Sequence, residues 1–168
     1  MLAALARYEG PLLAYAARLT GDAERARDVV QETFLRLCAH GAGDLEGRLG
    51  EWLYTVCRHL ALDVRKKERP MATASGDGVL ERASAEPGPD AAAERADSAS
   101  RVLRALAALP ESQREVLRLK FQHGLSYREI GGVTGHSVTN VGFLIHAGLK
   151  RLRERLADEG TKATGGVR

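Results

Sequence analysis

The sequence predicts an all-α protein of two small helical domains, a three-helix bundle and a four-helix domain, joined by a flexible linker. Three observations lead there. Of 168 residues, 44% are hydrophobic and 28% charged, which are globular values, while aromatics make up only 5%. That balance, with abundant Ala, Leu, Arg and Glu, favours helices over strands. Apolar residues recur at three- and four-residue intervals in the segments before residue 70 and after residue 100, the period of a helix with one buried face. Between them, from Pro70 to about Ala99, the chain turns to Pro, Gly, Ala, Ser and acids with no sustained periodicity. A stretch of that composition reads as a linker.

The first helix is expected over residues 3–19, with Leu5, Leu12, Tyr15, Ala16 and Leu19 inward and Gly21 taking the left-handed turn that stops it. Asp22 then caps a second helix running to about His40. Its inward face is Ala26, Val29, Val30, Thr33, Phe34 and Leu37. Gly41 ends it, and GAGDLEG at 41–47 reads as a flexible loop. A third helix carries Leu49, Trp52, Leu53, Val56, Leu60 and Val64 and stops before Pro70, because the residue preceding a proline leaves the helical region. These elements make a first domain over 1–69, followed by the linker at 70–100.

In the second domain, 101–158, Val102, Leu103, Leu106 and Leu109 mark a short helix. Pro110 suits the first position of the next, whose inward residues are Val116, Leu117 and Phe121 and which Gly124 ends. Two more helices follow, Tyr127 to Thr134 and Val138 to about Leu156. Residues 159–168 read as a frayed tail.

Charge is unevenly spread. Residues 1–69 hold 11 basic and 10 acidic side chains, 70–100 hold 2 and 6, and 101–168 hold 12 and 6. A basic second domain points to a polyanion such as nucleic acid. Cys38 and Cys57 lie 19 apart without a second ligand pair, so buried reduced thiols are expected rather than a zinc site or a disulfide. The five histidines form no ligand cluster, no nucleophile with a base is discernible, and GGVTGHS follows a helix rather than a strand. An enzyme and a cofactor are therefore not expected. The N-terminus acquires Arg7 and Glu9 before any apolar core forms, and no apolar stretch reaches spanning length, so a cytoplasmic protein without membrane insertion is expected.

The strongest local signal is YREIGGVTGHSVTNVGFLIH, residues 127–146. A tiny residue at its fifth position, Gly131, lets two helices cross closely. Gly135 at the ninth permits a sharp turn, Ile130, Val138, Val141 and Leu144 fill the seam, and Ser137 caps the second helix. This is a helix-turn-helix. A helix so placed lies in the major groove with its N-terminal residues at base edges. Ser137, Thr139, Asn140, Phe143 and His146 would face outward, with Lys150, Arg151, Arg153 and Arg155 beyond them and Arg114, Arg118, Lys120 and Arg128 nearby for phosphates.

The first domain offers two further faces. Opposite the core of the second helix lie Asp28, Gln31, Glu32 and Leu35, an exposed Leu among polar groups that points to a protein partner. On the third helix Arg58, Leu62, Arg65, Lys66 and Arg69 share a stripe with His59 at its edge, a surface able to follow phosphates.

Three ordered blocks, DVVQETFLRL, WLYTVCRHLALDVRKK and LPESQREVLRLKFQHGLSYREIGGVTGHSVTNV, resemble the extracytoplasmic-function RNA polymerase sigma factors of the sigma-70 family. The resemblance implies promoter-specific transcription initiation with core RNA polymerase. It implies docking of the first domain on the β′ clamp helices through Asp28, Gln31, Glu32 and Leu35. It implies opening of the minus-10 element by the 41–48 loop, including Arg48, and by Arg58, His59, Leu62, Arg65 and Lys66. The second domain would read the minus-35 element and touch the β flap, the acidic linker would occupy the RNA path, and an anti-sigma factor is a further partner. The alternative is a helix-turn-helix regulator that is not a sigma factor.

The chain departs from the family pattern at three places. Arg25 and Arg27 flank Ala26 where the family carries acids before the Gln-Glu pair, His59 stands where the family has Asn, and Gly142, Phe143, Leu144 and Ala147 replace several Lys or Arg. Minus-35 reading then rests on Ser137, Thr139, Asn140 and apolar contacts. A phosphate on Thr33 or a neighbour would restore the missing negative charge, although periodicity puts Thr33 itself on the core face.

Overall fold

The computed structural model describes residues 2–41, 45, 47–68 and 99–164, with side chains through 158. Its elements are α1 (Leu2–Thr20), α2 (Ala23–His40), α3 (Leu49–Glu68), α4 (99–107), α5 (Glu111–Phe121), α6 (Tyr127–Thr134) and α7 (Val138–Thr164). No strand occurs among the described residues. The expected all-α class holds. The chain forms two compact units, one built on α1, α2 and α3, the other on α4, α5 and α7 with the start of α6. Linker residues 70–98, loop residues 42–44 and 46, Arg69 and residues 165–168 lie outside the described residues.

In the first unit, α1 ends at Gly21, whose φ of 74° lies in the left-handed region, and Gly21 N donates to Ala17 O at 2.9 Å. Asp22 then accepts from Arg25 N at 2.8 Å, and that bond holds its carboxyl below the usual range. The cap satisfies an amide that the first turn of a helix leaves unpaired. All six residues expected inward on α2 are buried. Leu12, Tyr15 and Ala16 of α1 meet them, with Leu5 and Leu19 half-buried at the margin.

On α3 the buried line differs from the expected one. Leu53, Tyr54, Cys57 and Ala61 are buried, whereas Leu49, Trp52, Val56, Leu60 and Val64 are half-buried. Two of the four buried positions, Cys57 and Ala61, are small, and the larger apolar residues flank the line. Tyr54 earns its interior place by meeting Tyr15 edge-on, ring centroids 5.4 Å apart, a favoured aromatic geometry. Thr33 is fully buried and donates its hydroxyl to Val29 O at 2.7 Å, so it leaves no unmet donor in the core. Cys57 is the buried thiol that was expected; Cys38, on the outward side of α2, is exposed instead.

In the second unit, α5 packs on α7 at Gly148. A Cβ there would lie 2.9 Å from Leu117 Cδ1 and 3.4 Å from Gln113 Cβ. Gln113 is buried and receives Arg151 Nη1 at 3.3 Å, while Arg101 Nη2 of α4 donates to Leu156 O of α7, also at 3.3 Å. Ala105 and Leu109 are buried, but Val102 stays 38% exposed. Pro110 occupies the cap position just before α5 rather than its first turn.

Phe121, expected inward, is 63% exposed. It is the last residue of α5, and the chain there folds back so that Leu125 N donates to Leu119 O at 3.0 Å around Gly124, whose φ is 69°. Leu119 and Leu125 thereby take the buried positions that the period assigned to Phe121. Helix α7 also runs beyond Leu156, to Thr164.

Candidate nucleic-acid interface

The α6–turn–α7 segment is held by side-chain caps at both helix starts. Glu129 Oε2 accepts from Ser126 N at 2.7 Å and Ser126 Oγ accepts from Glu129 N at 3.3 Å, a reciprocal capping box. These bonds keep the Glu129 carboxyl below its usual range. Ser137 Oγ accepts from Asn140 N at 3.2 Å, as expected for the cap of α7. Gly135 has a φ of 77°, the conformation for which glycine was expected. The seam is filled by Ile130, Val141 and Ile145, all buried, with Leu144 half-buried. Val138, expected in the seam, is 51% exposed, because the cap at Ser137 places it on the outer side of the first turn.

Along α7, Ser137, Thr139, Asn140, Phe143, His146 and Lys150 are all exposed, and Arg128 is exposed on the first turn of α6. Arg118 is half-buried on α5. Sequence reading missed one member of this surface. The Tyr127 ring lies within 3.7 Å of the Cβ position of Gly142, and Lys120 Nζ sits 5.4 Å from the centre of that ring. The cation is thereby held beside the α6 terminus by the ring's negative face. Only the folded crossing of α6 and α7 brings residue 142 to residue 127.

The first unit presents its two faces on different helices. On α2, Asp28 and Gln31 are exposed, Leu35 is 56% exposed, and half-buried Glu32 accepts from Arg36 Nε at 2.8 Å. Beside them an open groove between α1 and α2 is lined by Leu5, Leu13, Phe34 and Leu35, with Arg27 and Glu9 among its polar lining. The complete burial of Thr33 leaves no room for a phosphate on its hydroxyl. On α3, His59, Arg65 and Lys66 are exposed and Arg58 and Leu62 half-buried. Arg48 is exposed, its Nε 3.6 Å from Glu51 Oε2, and His40 stacks on Trp52 with centroids 5.5 Å apart, tying the end of α2 to the start of α3.

Residues 4–70 match the family model of sigma-70 region 2, and residues 99–152 match that of sigma-70 region 4. The ECF RNA polymerase sigma factor EcfG of Rhodopseudomonas palustris is 33% identical over 92% of this chain and 83% of its own length. The chain belongs to the ECF RNA polymerase sigma factor family. The sigma factor SigL of Mycobacterium tuberculosis is 32% identical over 87% of this chain and 82% of that relative, and SigW of Bacillus subtilis is 28% identical over 84% and 80%. Among solved structures, the sigma factor RpoE of Bartonella quintana, crystallised with the anti-sigma factor NepR, shares the fold at a TM-score of 0.67 and 23% identity, covering 91% of this chain and 94% of that one.

As an ECF sigma factor, the protein has core RNA polymerase and promoter DNA as its partners and promoter-specific initiation as its activity. Its relatives are sigma factors, which are not enzymes. No helix among the described residues is long and apolar enough to cross a membrane, and no group of His, Cys, Asp or Glu there is arranged to hold a metal.

Proposed function

We propose that the sigma factor divides promoter recognition between its two units, with residues 1–69 engaging polymerase and the minus-10 element and 101–158 reading the minus-35 element as duplex. The observation that carries this reading is the exposed row Thr139, Asn140, Phe143 and His146 on a helix whose start is capped by Ser137. A recognition helix needs its outer face free and its own amides satisfied before it meets a base edge. Ser137 serves as cap and borders the groove, while Arg128, Arg118 and Lys150 supply phosphate contacts. In the first unit, Asp28, Gln31, Glu32 and Leu35 dock on the β′ clamp helices. Arg48, Arg58, His59, Leu62, Arg65 and Lys66 hold the opened minus-10 strand. The second unit also touches the β flap.

With α4 beginning at 99, the linker is residues 70–98, and its net negative charge from 6 acids against 2 bases fits a place in the RNA path. The same reading makes the protein cytoplasmic, assigns it no catalytic step and admits an anti-sigma protein as a regulator. Run-off transcription with purified core polymerase on a promoter library tests the proposal. Initiation from a defined subset, lost when the minus-35 element is scrambled, is expected. A requirement for another sigma factor before any transcript appears would overturn it.

A further inference from the structure

The start of α7 is chemically unlike a phosphate-binding helix. From Val138 to Leu149 it contains no Lys, Arg, Asp or Glu, and its first cation is Lys150. At the centre of its outer face stands Phe143, 67% exposed, with Thr139 and Asn140 a turn before it and His146 a turn after, all exposed. Residues three and four apart share a helix face, so the phenyl ring sits inside the polar row rather than at its edge.

Single exposed apolar residues are ordinary, and Phe121 is another, but Phe143 stands within the row that faces the groove, where covering the ring on binding would recover the gain that exposure forgoes. Next to it, residue 142 is glycine, with Tyr127 lying across that position, so no side chain of α7 at 142 screens the ring. The major groove offers one apolar group among its polar edges, the 5-methyl of thymine. Cytosine lacks it, and both purines present polar atoms there.

We infer that Phe143 is a specificity-determining residue that packs on the 5-methyl group of a thymine in the minus-35 duplex. This rests on the reading above that α7 enters the major groove. Asn140, a turn nearer the start of the helix, bonds a neighbouring adenine edge, so the two residues together select A·T pairs. With no cation on these turns, the methyl contact supplies discrimination that salt screens little.

The test uses full-length protein bound to core polymerase and a promoter selected from the library by run-off transcription. Each minus-35 thymine, on either strand, is replaced singly by deoxyuridine, which removes only the methyl group, and promoter affinity is measured at fixed salt. Replacement at one or two positions is expected to weaken binding by about fourfold, the transfer value of one buried methyl. Phe143→Ala should bind thymine and deoxyuridine promoters equally, while Phe143→Leu keeps part of the preference. Indifference of the unaltered protein to every replacement, an element without A·T pairs, or persistence of the preference in Phe143→Ala overturns the inference. Indifference to scrambling of the whole element would instead discard the major-groove reading from which it starts.

Discussion

A Cβ placed on Gly131 would lie 2.8 Å from the carbonyl oxygen of His136, across the turn that joins α6 to α7. The obstacle is backbone, which cannot swing aside as a side-chain end can. Gly131→Ala must therefore push the two helices apart, and the second unit should lose about 1–3 kcal/mol of stability, the usual cost of overpacking. Gly142 makes the control. Its Cβ would meet Tyr127 at an ordinary 3.7 Å, so Gly142→Ala should gain helix propensity and stabilise by about 0.5–1 kcal/mol. Chemical denaturation of both variants decides, and equal effects would contradict the argument.

Asn140 donates its backbone N–H to the Ser137 cap, but its exposed amide side chain is not needed for the helix start. Asn140→Ala should therefore leave the melting temperature nearly unchanged. It should reduce minus-35 discrimination by about 1–3 kcal/mol, the value of one bidentate base contact. Comparing initiation from matched and mismatched promoters measures it, and unaltered preference would remove Asn140 from the reading surface.

Arg65 and Lys66 stand exposed in the last turn of α3, where their charge also favours the negative end of the helix. The two roles separate by salt. If both side chains neutralise phosphates, Arg65→Ala with Lys66→Ala should flatten the dependence of log affinity on log salt by up to about 1.4–1.8, depending on whether the contacted DNA is single or double stranded. A purely helical role would lower thermal stability and leave the salt slope where it was.

Leu35 borders the α1–α2 groove and is 56% exposed, so removing most of its side chain opens little cavity. Leu35→Ala should cost less than about 1 kcal/mol of folding stability. A well-packed anchor at an interface is worth about 1–2 kcal/mol or more, so association with core polymerase should weaken by roughly tenfold. Titration of labelled protein with core enzyme checks this, and full affinity would move the docking face elsewhere on the unit.

What the sequence made legible follows from how locally each feature is determined. Helix α2 was read completely because one cap, one stop glycine and an uninterrupted period specify it, and all six inward residues are buried. The exposed row on α7 was legible for the same reason. The errors fall where tertiary packing chooses between adjacent faces. On α3 both Leu53 and Trp52 lie near an apolar stripe, and only the approach of α1, with Tyr15 against Tyr54, selects which side is interior. Phe121 and Val138 sit at helix ends, where a turn or a cap redirects a side chain that periodicity alone treats as mid-helix. Residue type alone favours burial for Cys38, and its position on the outward side of α2 decides otherwise.

The core of the first unit carries its own pH signature. Burial pushes the Cys57 thiol from its usual 9.0 up to about 12, with Thr33 offsetting part of the rise, and burial likewise raises the Tyr54 hydroxyl above its usual 10.0. Both groups are neutral when protonated, so the folded state holds protons that the unfolded chain releases. Their contribution is intact below about pH 9 and falls as pH rises from there toward 12, because the unfolded state then binds fewer protons. The slope is at most about 1.4 kcal/mol per pH unit for each group. Cys57→Ala removes one of the two, so its denaturation midpoint, though lower throughout, should decline less steeply between pH 9 and 11 than that of the unaltered protein. Exposed Cys38 should react with a thiol reagent in the native state, whereas Cys57 should react only on unfolding. Parallel pH profiles for the two proteins, or equal labelling rates at the two thiols, would show that the α1–α3 interior admits water where the packing of Tyr54 and Cys57 excludes it.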